Sequence, residues 1–134
     1  MNDGQRLPEV KGGIAPYLMV EGAMKAAEFY RTALGAEIAG AMPPDGSGRT
    51  MHVHLYINGG SLMMTDPWPE HGHPAKEHHG TTLHLQVEDV DFWWERAVEA
   101  GMTITMPLAV QFWGDRYGQL RDPFGVSWSL ASRG

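Results

Sequence analysis

The chain contains no cysteine, which excludes disulfides, thiol catalysis and cysteine-based zinc sites. Positive charge is scarce: 10 Lys and Arg stand against 16 Asp and Glu, for a formal net charge of −6. Phosphate-backbone binding wants a basic face, so nucleic acid is not an expected partner. No apolar run approaches the ~20 residues of a membrane span. The opening MNDGQRLPEV is polar and lacks the basic-then-apolar layout of a signal peptide. The expectation is a cytoplasmic protein without a membrane partner. No Ser-His-Asp order, phosphate loop or paired catalytic carboxylates stands out, so no catalytic residue is assigned.

What the chain does have is a repeat. PYLMVEGAMKAAEFYRTALGAEI, from Pro16 to Ile38, is echoed by LHLQVEDVDFWWERAVEAGMTI, from Leu83 to Ile104. Each copy has an apolar run ending in Val-Glu (Val20-Glu21, Val87-Glu88), a helical stretch carrying aromatics, and a Gly three residues before an Ile (Gly35, Gly101). Such a period marks two copies of one supersecondary unit, and a cleft between two copies is a natural ligand site. A length of 134 residues fits one domain, or two small modules sharing a core. Five Trp and nine Met predict a large apolar surface that is buried or lines a pocket.

Residues 1–12 read as a polar lead-in and 13–20 as a strand, with Pro16 at an edge. Apolar positions 23, 26, 27, 30, 33 and 34 have helical spacing, and Gly35 stops that helix. Strands are expected at 36–42, 50–57 and 61–65, with Asn58-Gly59-Gly60 as a hairpin turn. The second copy repeats the order: strand 82–87, helix 88–100 capped by Asp89 or Asp91, and strands 103–110, 112–121 and 126–132. The modules span about 13–66 and 81–132, joined by a linker, 67–80, rich in Pro and His.

Strand alternation sorts the faces. Ile14, Pro16, Leu18 and Val20, then Met51, Val53, Leu55 and Ile57, should face a helix. So should Leu83, Leu85 and Val87, then Val126, Trp128 and Leu130. The opposite face then carries Tyr17, His52, His54, Tyr56, Thr82, His84, Gln86, Ser127 and Ser129, the lining expected of a cleft.

The segments PYLMVEGAMKAAEFYRTALGAE, GGSLMMTD and QFWGDRYGQLRDPFGVSWSLA carry a resemblance to the vicinal oxygen chelate superfamily of glyoxalase I, extradiol dioxygenases and bleomycin-resistance proteins, and within it to the PhnB-like branch. It covers about residues 12–132. It implies an α+β fold of two tandem β-α-β-β-β modules forming a curled mixed sheet around a cleft, usually as a homodimer. Members that are enzymes hold a divalent metal with one residue on the first and last strand of each module. Those positions fall on Ala15, Met63, Thr82 and Ser129, none of them the His or Glu of the metal-binding members. A two-residue slip in the second module would bring in His84.

Two functions compete. In the first, a small, partly aromatic or anionic molecule binds in the cleft without metal or other cofactor, against Tyr17, His52, His54, Met63, Thr82, His84, Trp113, Arg116 and Ser129. Arg116 would grip an anion and Trp113 stack on a ring, unless Arg116 only pairs with Asp115. In the second, His52 and His54, about 7 Å apart on a strand, join His84 around a metal ion in a lyase, isomerase or dioxygenase-like enzyme. The linker's His71, His73, His78 and His79, with Glu70 and Glu77, form either a surface metal site or a solvated loop. Trp93 and Trp94 read as core or dimer contact.

Overall fold

A computed structural model describes residues 7–134; the first six residues of the expected lead-in lie outside the described residues. The chain divides into two compact units, one ending at Ala75 and one beginning at Lys76, with Thr32–Leu34 grouped with the second. The first unit holds β1 (Tyr17–Met19), α1 (Ala23–Leu34), β2 (Glu37–Ala41), β3 (Val53–Ile57) and β4 (Gly60–Thr65). The second holds β5 (Thr82–Gln86), α2 (Val90–Ala100), β6 (Thr103–Val110), β7 (Arg116–Arg121) and β8 (Ser127–Ser132). Each forms its own four-stranded mixed sheet in the same order, β1-β4-β3-β2 and β5-β8-β7-β6. In each, the first and last strands pair in parallel and the rest antiparallel. The two tandem β-α-β-β-β modules expected from the sequence are thus the fold.

The helix of the first unit follows its apolar spacing. Ala23, Ala26, Ala27, Tyr30, Ala33 and Leu34 are all fully buried, and the small alanines allow close approach. Gly35, at φ 64°, turns the chain out of the helix with its N–H on the Tyr30 carbonyl, as a left-handed cap does. The start has no side-chain cap of its own, because Gly22 stands there. The cap comes from the far end of the module. Asp66 Oδ1 accepts from the Gly22 and Ala23 amides at 2.8 and 3.2 Å, and its Oδ2 from Thr50 N at 2.8 Å. One buried carboxylate therefore joins the end of β4, the start of α1 and the approach to β3.

The second unit solves the same problem with a neutral group. Ser132 Oγ accepts from Val90 N at 3.0 Å and donates to the Glu88 carbonyl, while Asp89 caps Phe92 N at 3.3 Å. Asp122, also buried, holds the turn before β8. It accepts from Phe124 N, Val126 N and the Trp128 indole N–H at 2.9–3.0 Å. Gly118 in β7 lies against α2: a Cβ there would stand 2.6 Å from the Trp94 ring.

Three strands are shorter than their patterns suggest. β1 begins at Tyr17, and Ile14 is 90% exposed rather than facing a helix. Gly12 and Gly13 take positive φ, and the backbone of Ser61, which would continue the ladder, pairs with Lys11 instead. β3 begins at Val53, so Met51 is 62% exposed, its neighbour Thr50 being pulled to Asp66. β7 begins at Arg116, because residues 111–115 close a turn from Gln111 N to the Asp115 carbonyl. The Asn58-Gly59 hairpin forms as read, with both residues at positive φ, as a type I′ turn requires.

Two outcomes test this framework. Asp66→Ala leaves three amides, two of them buried, without an acceptor and should cost about 2–4 kcal/mol, whereas Ser132→Ala should cost about 1 kcal/mol; urea unfolding of both variants measures the difference. Gly118→Ala drives a methyl into the Trp94 ring and should cost about 1–3 kcal/mol of overpacking, read in the same experiment.

Candidate functional site

Each sheet has a helix-side face and a polar face, and register aligns the polar faces row by row. In the first unit Tyr17 lies beside Met63 and Met63 beside His54. In the second, His84 lies beside Ser129 and Ser129 beside Gln119. The rows correspond: Val20 N and Val87 N make the same hydrogen bond, to the Thr65 and Ala131 carbonyls at 2.8 Å. Counting back three residues from each Val gives Tyr17 and His84. Counting back two from each carbonyl gives Met63 and Ser129.

On the first face, Tyr17, His52, His54 and Tyr56 form a chain of ring contacts with centroids 5.6, 6.3 and 5.1 Å apart. The half-exposed Tyr17 hydroxyl lies 2.9 Å from His52 Nδ1, and partial burial pushes its pKa up. His54 is 1% exposed, with Nε2 2.7 Å from Ser61 Oγ. Burial first, and the neighbouring His52 second, push the His54 imidazole below the ordinary histidine range. The N-terminal segment crosses this face. Lys11 N donates to Ser61 Oγ at 2.8 Å, Tyr56 OH donates to the Glu9 carbonyl at 2.7 Å, and Lys11 Nζ sits 3.9 Å above the Tyr56 ring. His54 is therefore a covered group and not an open wall of a cleft.

On the second face, His84 Nε2 lies 2.8 Å from Gln86 Oε1, and Nδ1 2.6 Å from Ser129 Oγ. Since the amide oxygen can only accept, Nε2 carries a proton in this network, and in the neutral imidazole Nδ1 then accepts from the serine. The His84 ring stacks on Tyr117, with centroids 6.0 Å apart and planes 21° apart. Trp113 meets Tyr117 edge-on at 5.4 Å, and Phe112 meets Trp113 at 4.9 Å. Gln119 Nε2 donates to Tyr117 OH at 2.9 Å. Thr82 is exposed on the same face, beside Ser127. Trp113 is half-exposed in the β6–β7 turn. Tyr117 and Gln119 were not among the expected lining residues; alternation back from Ser129 would have found them only with the strand pairing known.

Arg116 is placed elsewhere. It alternates with Tyr117 and points to the helix side, where its guanidinium meets Asp91 of α2 at 2.8 Å. This carboxylate raises the Arg116 pKa. Its partner is thus neither Asp115 nor a free anion, because strand alternation turns it away from the polar face. Trp94 is buried and Trp93 half-buried beneath the Arg96 guanidinium.

The superfamily's divalent metal does not fit the residues present. Register sets Tyr17, not Ala15, beside Met63, and His84, not Thr82, beside Ser129. With either choice the first unit offers no carboxylate or imidazole among these positions, and the second at most one imidazole; such an ion requires several. His52, His54 and His84 each have a ring nitrogen in a local hydrogen bond. Among the described residues no group of three or more His, Asp or Glu is placed to hold a metal ion. In the linker, Glu70 forks onto Arg49 at 2.8 and 3.0 Å, which lowers its pKa to about 2. Glu77 pairs with His79 at 2.9 Å. No helix among the described residues is long and apolar enough to cross a membrane.

The covered His54 has a pH consequence. An unfolded histidine protonates near pH 6.5, whereas His54 in the fold protonates only at lower pH. Between those values the unfolded chain binds more protons, so stability should fall as pH drops below about 6.5. His54→Gln should remove that part of the slope, measured as urea midpoints at pH 7.5 and 5.5.

The chain is 41% identical over 128 residues to Mb0911c of Mycobacterium bovis, covering 90% of this chain and 83% of that one. It is 29% identical to YjdN of Escherichia coli, over 87% and 92% of the two chains. Among solved structures, PA1353 of Pseudomonas aeruginosa superposes with a TM-score of 0.71 at 29% identity, over 90% and 96% of the two chains. The PhnB protein of Bacillus cereus shares the fold, with a TM-score of 0.69 at 24% identity over 90% and 99%. The family profile matches residues 13–130, and with it the paired modules: the chain belongs to the Glyoxalase/Bleomycin resistance protein/Dioxygenase superfamily.

Proposed function

We propose that this chain binds a small organic molecule bearing a flat ring, without a metal ion in the site, on the polar face of the second sheet. The observation that carries the reading is the aromatic group of Trp113, Tyr117 and His84, with Trp113 49% exposed and His84 exposed at its edge. Rings already set edge-on and offset present open faces for another ring. Gln86, Ser129 and Gln119 give the ligand's polar atoms donors and acceptors. The anionic alternative is the weaker one, since Arg116 is committed to Asp91. Sequestration of the ligand, as the bleomycin-resistance members of the superfamily carry out, requires no reaction and fits a face without a metal-binding donor set.

A thermal-shift screen of flat heteroaromatic compounds tests this, since a ligand that binds only the folded chain raises its stability. At least one compound should raise the melting temperature. Trp113→Ala and Tyr117→Ala should each weaken that compound by about 3–10-fold, the worth of one ring–ring contact. Binding that neither substitution touches, or a screen in which no compound shifts the melt, would reject the reading.

A further inference from the structure

The polar face of the first sheet already has an occupant, and its contacts specify what the face recognises. Pro8 lies over Gly40, close enough that a Cβ on the glycine would meet its ring at 3.0 Å. The Glu9 carbonyl takes the Tyr56 hydroxyl, the Lys11 backbone exchanges hydrogen bonds with Ser61, and the Lys11 ammonium caps the Tyr56 ring. Gly40, Tyr56, Ser61 and His54 all sit on one face, Gly40 and Met63 flanking His54, and Ser61 opposite Tyr56. Along the segment the face thus reads a small ring, a carbonyl, an amide N–H and a cation, which are the features of a peptide bearing a basic side chain.

The occupant is lightly held. Leu7, Glu9, Val10 and Lys11 are exposed, with Leu7 at 71% and Val10 at 47%, so little apolar area fixes the segment. It belongs to no strand. Gly12 and Gly13 follow at once, exposed and at φ 97° and 75°, a backbone state glycine enters without steric cost and so a ready hinge. If the segment leaves, Tyr56 OH and Ser61 Oγ turn to water and lose nothing that solvent cannot replace.

We propose that this face is a binding site for an extended peptide segment bearing a basic side chain, and that Pro8–Lys11 is its resident, displaceable occupant. The inference is independent of the ring-binding reading of the second sheet. A ligand in trans competes with the tethered segment, so its apparent affinity is reduced by the fraction of time the segment is docked.

The probe is the acetylated, amidated hexapeptide LPEVKG, the sequence of residues 7–12, titrated into the 134-residue chain and followed by the backbone amide signals of Gly40, Tyr56 and Ser61. In the unaltered chain, Lys11 N–H should exchange with solvent much faster than Leu55 N–H in β3. The double variant Pro8→Gly/Lys11→Ala weakens the occupant and leaves the face intact. There the hexapeptide should shift all three signals and bind at least about threefold more tightly than to the unaltered chain, the worth of one exposed cation–π contact. A hexapeptide with Glu in place of its Lys should bind more weakly. Lys11 N–H as slow as the core amides would make the segment a fixed part of the fold and overturn the proposal. So would a titration of the double variant that leaves Gly40, Tyr56 and Ser61 unmoved.

Discussion

Each helix starts next to the last strand of its own module, and a side chain at the end of that strand accepts from its first amides, a contact that organises both units. The first turn of any α-helix exposes amides without intrahelical partners. In the first unit Gly22 brings no side chain, so the Asp66 carboxylate reaches across from the end of β4 and takes two of those amides plus Thr50 N. The strength of a carboxylate–amide bond in a buried place fixes where β1 stops, where α1 begins and where β3 is entered. The second unit places Ser132 at the matching end of β8. There Asp89 supplies the charge from the helix's own side, so a neutral hydroxyl suffices.

With both strand ends fixed, register is fixed, and register decides what each polar face presents. One row reads Tyr17, Met63, His54; the matching row reads His84, Ser129, Gln119. The same scaffold positions thus carry a phenol, a thioether and a buried imidazole in one unit, and an exposed imidazole over a serine in the other. Such residues suit hydrogen bonding and stacking, and they give a divalent ion too few ligands. The faces also differ in access, since the N-terminal segment crosses the first while the aromatic group of the second stands toward solvent.

Much of this was legible in the chain. The Val-Glu and Gly landmarks gave two modules; the spacing from Ala23 to Leu34 gave a helix with those bounds; alternation put His52, His54 and His84 on polar faces. Arg116 went astray because only the pairing of β7 with β8, Gln119 beside Ser129, shows which way each side chain of β7 points. The Val-Glu, Thr-Asp and Asp-Pro-Phe-Gly landmarks set the superfamily's metal positions at Ala15, Met63, Thr82 and Ser129. Strand pairing adds only which residues stand directly beside two of these positions, Tyr17 beside Met63 and His84 beside Ser129.

The sequence by itself determined the repeat, the order of elements and the composition of the faces, because helical and strand periodicities and glycine stops are local properties of the chain. Tertiary structure alone decided the partners. It chose Asp91 for Arg116, Asp66 for the start of α1, and residues 8–11 as the cover of His54. Those pairings span 25 to 50 residues, and no local pattern specifies which of many compatible donors and acceptors the folded sheets bring within hydrogen-bond distance.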